Sequence, residues 1–364
     1  MVESSLRPGP ELSAPAHARC RRPVRRRMFR AVAAGAAAVS MLLATGCTSD
    51  GQSTDTSSAP AGGVFPLTIQ SALGPATIPS APKRVVTLGW GSTEVAVALG
   101  VTPVGIPNMK SDSGSTDPVM PWVRDKLGSA TPEVFEASSK SMPYEKIAAL
   151  RPDVILAVQS GVTADQFAKL SAIAPTVGYP GKPWQTSWQD QTMLAGKALG
   201  KEPEATALVA DANTQLAQAR AKHPEFAGKT ATMVSATKPD GLNVYLDTDP
   251  RIELLRAFGF APLPELAQLR QQTDPAKFAA EVSWENIPRY NPDVLLSWYL
   301  QPALQSSVEA NPIFRSLAAV KGNSYVALTD PPLVYAISAP SVLNIPWLVA
   351  HALPKLSAAA HGTP

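Results

Sequence analysis

Histidine and cysteine are scarce in this sequence of 364 residues, which has four histidines and two cysteines. Only His223, His351 and His361 lie outside the N-terminal region, and His361 is close to the C-terminus. A site in which protein side chains bind zinc or manganese needs several histidines or carboxylates that converge. The composition therefore argues against a free metal ion as the ligand of this protein.

The sequence has no basic region that would indicate nucleic-acid binding. Its formal net charge is +3, but eight of its 32 lysines and arginines lie in the first 30 residues. Only Glu3 and Glu11 oppose them there, so acidic residues are in slight excess over the rest of the chain. Because the positive charge is confined to one end, it indicates processing or export rather than a nucleic-acid surface.

The N-terminal apolar run is too short to cross a membrane. It extends from Ala31 to Leu43, about 13 residues, whereas a spanning helix needs roughly 20. Arg25, Arg26 and Arg27 precede it, and this order is typical of a secretory signal. The pair Arg26 and Arg27 resembles a twin-arginine export signal, with a Sec signal as the alternative.

The apolar run ends at a cysteine that indicates lipidation. Residues Leu43 to Cys47 resemble the lipobox of bacterial lipoproteins, although Ala44 stands where that motif usually has leucine. Cleavage before Cys47 would remove Cys20 and leave Cys47 as the one cysteine, so no disulfide could form. We therefore predict a signal peptide over 1–46 and a lipidated, flexible tether over 47–64, since Thr48 to Gly63 is rich in small polar residues.

Two internal repeats predict two similar lobes. The segment from Tyr144 to Leu156 recurs as Trp284 to Leu296, and each copy predicts a short helix, a Pro-Asp turn and a buried strand. A second repeat relates Ala98–Pro103 to Ala257–Pro262, where a glycine suits the end of a helix. Short β-branched runs alternate with helical segments around these repeats, which favours α/β lobes with mostly parallel sheets.

One long helix is predicted between the lobes. Pro203 stands at its start, Pro224 at its end, and small or apolar residues form a stripe along it. About 20 residues give roughly 30 Å, enough to join two lobes. The predicted fold is an α/β clamshell with lobes at 65–200 and 225–364, bridged by a helix at 201–224.

These segments, in this order and spacing, resemble the ferric-siderophore and vitamin B12 periplasmic-binding family. The resemblance covers roughly Leu67 to Leu356 and also includes Ile78–Gly105, whose Pro82 to Val86 is similar to actinobacterial ferric-siderophore binders. It implies the extracytoplasmic binding component of an ABC importer, a monomer with no cofactor of its own. Its expected partners are a ferric siderophore, a permease with its ATPase, and the membrane through the lipid anchor.

The resemblance also implies one permease-docking glutamate in each lobe. The matching positions are Glu145 and Glu285, which occupy equivalent places in the first repeat. A carboxylate at a rim steers association and fixes register. The alternative is that each glutamate only stabilises the first turn of its helix through the helix dipole.

For the ligand, the resemblance implies a cleft with aromatic walls and a few cations, because a siderophore already supplies the oxygen donors for its iron. Trp90, Trp298 and Tyr299 are the leading candidates, since each follows a predicted strand at the open edge of a lobe. The candidate walls are Trp90, Trp122, Tyr179 and Trp184 in the first lobe and Tyr245, Trp298, Tyr299 and Tyr335 in the second, with Lys110 and Arg251 as the candidate cations near them.

Haem, cobalamin and an enzymatic function are the alternatives to siderophore binding. Haem is an alternative because a tyrosine can bind its iron, and cobalamin is another because the same architecture carries it. Gly89 and Gly91 lack the third glycine of a dinucleotide motif, and Ser92 lacks the spacing of a nucleophile elbow. The sequence therefore predicts a binding protein and no catalytic site.

Overall fold

The computed structural model describes residues 63–138, 140–238 and 240–363. The predicted signal peptide, Cys47 and nearly all of the predicted tether lie outside these residues. The described chain begins with a hairpin of two antiparallel strands, β1 (Leu67–Ser71) and β2 (Gly74–Ile78).

The first lobe is built on a sheet of five parallel strands in the order β5-β4-β3-β6-β7. Its strands are β3 (Val85–Thr87), β4 (Gly105–Pro107), β5 (Glu133–Phe135), β6 (Val154–Leu156) and β7 (Thr176–Val177). The helices of this part are α1 (Ser92–Ala98), α2 (Lys110–Ser113), α3 (Pro121–Leu127), α4 (Tyr144–Ala149), α5 (Ala164–Ser171) and α6 (Trp188–Ala198).

The bridging helix α7 spans Glu202–Lys222, with Pro203 in its first turn. Its 21 residues give a length of about 32 Å. One side packs on α6 of the first lobe, and the helix also contacts two helices of the second. The buried residues of α7 are Ala205, Ala212, Leu216 and Ala219, which belong to the predicted stripe.

The second lobe is built on a six-stranded sheet with the order β11-β9-β8-β12-β13, and β10 pairs with β8. Its strands are β8 (Thr230–Ser235), β9 (Gly241–Tyr245), β10 (Ala261–Pro262), β11 (Ala279–Ser283), β12 (Val294–Trp298) and β13 (Tyr325–Leu328). The helices are α8 (Pro250–Phe258), α9 (Glu265–Gln272), α10 (Pro302–Ala310), α11 (Pro312–Ser316), α12 (Ala318–Lys321), α13 (Pro331–Ser338) and α14 (Ile345–Ala360). Two short 3₁₀ helices span Pro224–Phe226 and Trp284–Tyr290.

The predicted fold class is confirmed: two α/β lobes with mostly parallel sheets are joined by one long helix. The exception is β9, which runs antiparallel to both β8 and β11. Only five residues separate β8 from β9, too few for the crossover that a parallel pair requires.

The two copies of the main repeat use their Pro-Asp turns in the same way. Asp153 accepts hydrogen bonds from the backbone N–H groups of Lys83 and Arg84, just before β3. Asp293 accepts one from the N–H of Thr230 at the start of β8, at 2.7 Å. The helices differ, because Pro288 has no N–H for an α-helical bond and the second copy forms a 3₁₀ helix instead.

Candidate functional site

The first-lobe pocket lies where β3, β4 and β6 end, at the carboxyl edge of the parallel sheet. It has a volume of about 140 Å³, and its walls include Gly89, Pro107, Asp112, Gly161 and Trp184. Gly89 has a φ of 73°, and a Cβ at this position would overlap the carbonyl oxygen of Gln159. Glycine thus lets two loops approach closely at the base of this pocket.

Trp90 is held from three sides beside this pocket. Its backbone N–H donates to the carbonyl of Gln159 at 2.9 Å, and its carbonyl accepts from Nε2 of Gln191. Its indole N–H donates to Oδ2 of Asp112 at 2.8 Å. The ring centroid of Trp90 lies 5.3 Å from that of Trp184, so the two indoles and Asp112 form one corner of the cleft.

The second-lobe pocket, of about 420 Å³, occupies the corresponding edge of the other sheet. Ser235 and Trp298, the last residues of the parallel strands β8 and β12, line it together with Tyr245 of the antiparallel strand β9. Its other walls include Phe278, Lys277 and Glu281. Both pockets therefore lie where ligands usually bind in open α/β sheets, beyond the carboxyl ends of the strands.

The two pockets are adjacent across the cleft. Trp184 lines the first-lobe pocket, and the next residue, Gln185, donates through Nε2 to the carbonyl oxygen of Ala276 at 3.4 Å. Ala276 lines the second-lobe pocket. One ligand between the lobes could thus contact both pockets.

A buried ion pair supports the wall of the second-lobe pocket from behind. The guanidinium carbon of Arg251 lies 4.3 Å from the ring centroid of Tyr245, and Nη1 of Arg251 donates to Oδ2 of Asp249 at 2.9 Å. Asp249 also accepts from the backbone N–H of Arg251 at the start of α8. Arg251 is 6% exposed and does not line the pocket, so its cation acts through Tyr245.

Four of the predicted aromatic residues are buried and line neither pocket. Tyr179 donates to the carbonyl of Val162, and Tyr299 pairs through its hydroxyl with Tyr325 at 3.0 Å. Burial raises the pKa of Tyr179, Tyr299 and Tyr335. The fourth residue, Trp122, stacks on the ring of Tyr335 and makes a tilted contact with the ring of Trp347.

Tyr335 comes from the C-terminal half of the chain but packs against the first lobe. Its hydroxyl accepts from the N–H of Gly91 at 3.2 Å, and its ring lies 5.6 Å from that of Trp90. The expectation that Tyr335 forms part of a second-lobe wall does not fit this position, because α13 returns to contact α2. Lys110 is exposed and lines neither pocket. The pKa of Asp117 is lowered mainly by the hydrogen bond from Arg124, and the charge of Lys110 adds to this lowering.

Of the predicted ligand-binding residues, the structure brings Trp90 and Trp184 together in one lobe and Tyr245 and Trp298 in the other. Sequence reasoning missed Asp112, Phe278, Lys277 and Glu281 in the pocket walls. The only signal for Asp112 was its place shortly after β4. No sequence signal indicated Phe278 or Glu281, because their position depends on the antiparallel pairing of β9 with β11, which was not predicted.

Glu145 and Glu285 are both exposed and lie in the first turn of their helices. Glu285 accepts from its own backbone N–H and from the hydroxyl of Ser283, which lowers its pKa. Neither residue lines a pocket of the cleft.

The described residues contain no group of three or more His, Cys, Asp or Glu side chains placed to hold a metal ion. Within the same part of the chain, no helix combines the length and apolarity required to traverse a bilayer.

Comparison with known proteins identifies relatives along most of the chain. The periplasmic binding protein family matches residues 85–332. The probable siderophore-binding lipoprotein YfiY of Bacillus subtilis strain 168 is 30% identical over 270 residues, which make up 71% of this chain and 79% of YfiY. The Fe(3+)-citrate-binding protein YfmC of the same strain is 25% identical over 264 residues, 71% of this chain and 76% of YfmC.

Solved structures with the same fold match at similar identity. PiaA of Streptococcus pneumoniae TIGR4, in complex with ferrichrome, has a TM-score of 0.73 and 27% identity, covering 82% of this chain and 99% of PiaA. Staphylococcus aureus SirA, complexed with staphyloferrin B, has a TM-score of 0.65 and 28% identity, covering 80% of this chain and 98% of SirA. The chain belongs to the periplasmic binding protein family.

Proposed function

We propose that this protein captures a ferric siderophore between its lobes and delivers it to the permease of an ABC importer. The observation that carries the proposal is the pair of adjacent pockets with aromatic walls at the carboxyl edges of both sheets. A siderophore encloses its iron in oxygen donors, so its binding site needs shape and aromatic surface rather than metal ligands. The names of the relatives, which include a probable siderophore-binding lipoprotein and a protein bound to ferrichrome, support the same class of ligand.

Haem and cobalamin are the alternatives, and the tyrosines weigh against haem. An axial tyrosine must lose its proton to bind iron, but burial raises the pKa of Tyr179, Tyr299 and Tyr335. In the second-lobe pocket the hydroxyl of Tyr245 already accepts from the indole N–H of Trp298. Membership in a binding-protein family also makes this chain a binding component and not an enzyme.

The delivery step involves the membrane and the permease. We propose that residues 1–46 are removed, that Cys47 carries the lipid, and that 47–64 tethers a monomer to the outer face of the membrane. Relatives that are named lipoproteins support this location. Glu145 and Glu285, each exposed on one lobe, are the proposed contacts with the permease and its ATPase assembly. The lobes at 65–200 and 225–364 then close about the helix at 201–224.

Titration of intrinsic tryptophan fluorescence tests the proposed ligand. Purified protein is titrated with ferric siderophores, haem, cobalamin and free Fe³⁺. We expect saturable quenching by at least one ferric siderophore, because Trp90, Trp184 and Trp298 lie at the cleft, and weaker binding of its metal-free form. Tight binding of haem, cobalamin or unchelated Fe³⁺, with no response to any ferric siderophore, would contradict the proposal.

A further inference from the structure

The charges on the pocket walls are nearly balanced. Asp112 is the charged residue of the first-lobe pocket, and Lys277 and Glu281 are those of the second-lobe pocket. The formal charges of these three residues sum to −1, and Lys238, whose Nζ lies 3.7 Å from Oε2 of Glu281, brings the balance to zero. The described walls therefore present no surplus of positive charge to a ligand.

Lys277 is the one lysine or arginine that lines either pocket in the described part of the chain, and the other nearby cations are turned to other partners or lie outside the pockets. The guanidinium of Arg251 is buried against Asp249 and is covered by the ring of Tyr245. Lys110 and Lys182 are exposed and line neither pocket. A strongly anionic chelate would thus meet aromatic rings, Asp112 and a single lysine, Lys277, so at most one ion pair would compensate for its desolvation.

Asp112 makes the first-lobe pocket locally negative. Its carboxylate accepts from the indole N–H of Trp90, but it forms no ion pair with any lysine or arginine that the structure describes. The indoles of Trp90 and Trp184 stand beside it, tilted by 54° with centroids 5.3 Å apart. A carboxylate next to aromatic faces favours a cationic group, because ring faces attract cations as well.

We propose that the ligand is a ferric tris-hydroxamate with no net negative charge, and that Asp112 excludes anionic chelates. This inference rests on the proposed function. Three hydroxamates, each with one negative charge, neutralise Fe³⁺, so the chelate is neutral, or cationic where an ammonium tail is present. Three catecholates leave the complex trianionic, and complexes of citrate are also anionic. Only the first class matches walls without surplus positive charge.

The test compares four probes of different charge by fluorescence titration and by calorimetry. The probes are ferrichrome (neutral), ferrioxamine B (cationic), ferric enterobactin (trianionic) and ferric citrate (anionic). We expect a hydroxamate chelate to bind at least about tenfold more tightly than either anionic complex. Tighter binding of an anionic complex would overturn the inference but leave the proposed function intact. Failure of every ferric chelate would instead overturn the proposed function.

Asp112→Asn tests the role of the carboxylate without removing its hydrogen bond, since the amide oxygen can still accept from Trp90. We expect the variant to bind ferrioxamine B about fivefold more weakly, to bind ferrichrome almost unchanged, and to discriminate less against ferric enterobactin. Asp125→Asn is the matched control, because Asp125 is an exposed carboxylate that lines neither pocket. Equal discrimination in Asp112→Asn and the control would show that Asp112 does not set the charge preference.

Discussion

The indole N–H of Trp298 donates to the phenolic oxygen of Tyr245 at 2.9 Å. Trp298 ends β12 and Tyr245 belongs to the antiparallel strand β9, and these strands lie on either side of β8, so the bond links two strands across a third. The guanidinium of Arg251 lies over a face of the Tyr245 ring. An aromatic wall fixed in this way loses little side-chain entropy when a ligand binds.

Removal of Trp298 or Trp90 should weaken ligand binding. We expect Trp298→Ala and Trp90→Ala each to reduce ferric-siderophore affinity about fivefold or more, as truncation of an aromatic anchor commonly does. Trp298→Phe keeps a ring but loses the bond to Tyr245, and its loss should be smaller. Calorimetric titration measures the affinities, with Trp284→Phe as a control because the ring of Trp284 packs on Phe314, whereas Trp90 lies against Trp184 of the first-lobe pocket. Unchanged affinity in both alanine variants would exclude the proposed walls.

The Asp249–Arg251 pair should be important for stability. Both side chains are almost fully buried, at 0% and 7% exposure, and Asp249→Ala would leave the guanidinium without its counter-ion. Loss of one partner of such a pair typically costs about 3–5 kcal/mol. Asp247→Ala is the matched control, because it breaks an ion pair with Arg270, whose side chain is 45% exposed. That change should cost about 1 kcal/mol or less.

Urea unfolding followed by circular dichroism measures both effects. The double variant Asp249→Leu with Arg251→Met should recover much of the lost stability, since apolar residues can replace a buried pair with little penalty. Equal stability of Asp249→Ala and Asp247→Ala would show that the buried pair has no special role.

The repeats predicted the fold better than they predicted the site. Asp153 and Asp293 each tie a turn to the start of a neighbouring strand, and this local chemistry is visible in the sequence as Pro-Asp before an apolar run. The position of Phe278 depends on which strands pair across 30 or more residues, and no local pattern specifies that pairing. The return of α13 to the first lobe is equally non-local, so no local pattern indicates that Tyr335 packs against that lobe.

Glu94 should make stability depend on pH. It is 3% exposed, and burial raises the pKa of its carboxyl above the ordinary value of 4.5 despite hydrogen bonds from Trp122 and Tyr335. Between the unfolded and folded pKa values the folded state binds more protons, so stability falls as pH rises through this window. Each unit by which folding raises this pKa corresponds to about 1.4 kcal/mol of stability lost across the window.

Glu94→Gln removes this ionisation but keeps an oxygen that can accept both hydrogen bonds. We expect its melting temperature to exceed that of the unmodified protein near pH 8, and the difference to shrink as the pH falls towards 4.5. Thermal melts across this range measure the effect. A difference that does not vary with pH would show that Glu94 does not titrate in the folded protein.

Cys47 should determine membrane attachment. Cys47→Ala is expected to abolish lipidation and to release the protein from membranes, because lipid attachment would be lost and no described helix could replace it as a membrane anchor. Fractionation of cells after a high-salt wash measures attachment, and Cys20→Ala serves as the control because Cys20 lies within the predicted signal peptide. Continued membrane association of Cys47→Ala after the wash would contradict the proposal.

Reversal of charge at Glu145 and Glu285 should separate transport from binding. Both carboxylates are exposed and line neither pocket, so Glu145→Arg and Glu285→Arg should leave ligand affinity in solution unchanged. Each change should nevertheless impair uptake, since opposite charges steer and orient association while like charges repel. The double reversal should reduce uptake more than either single change, because both lobes would then repel the permease.

Uptake of ⁵⁵Fe-siderophore by cells, compared with affinity in solution, measures this separation. Glu133→Arg offers a matched control in the first lobe, since Glu133 is also exposed but lies on β5, outside the repeated segment. If the reversal acts at the permease, the control should take up iron normally while the two repeat positions do not. Loss of ligand binding in either purified variant would place the glutamate at the cleft, and normal uptake in the double variant would show that neither carboxylate contacts the permease.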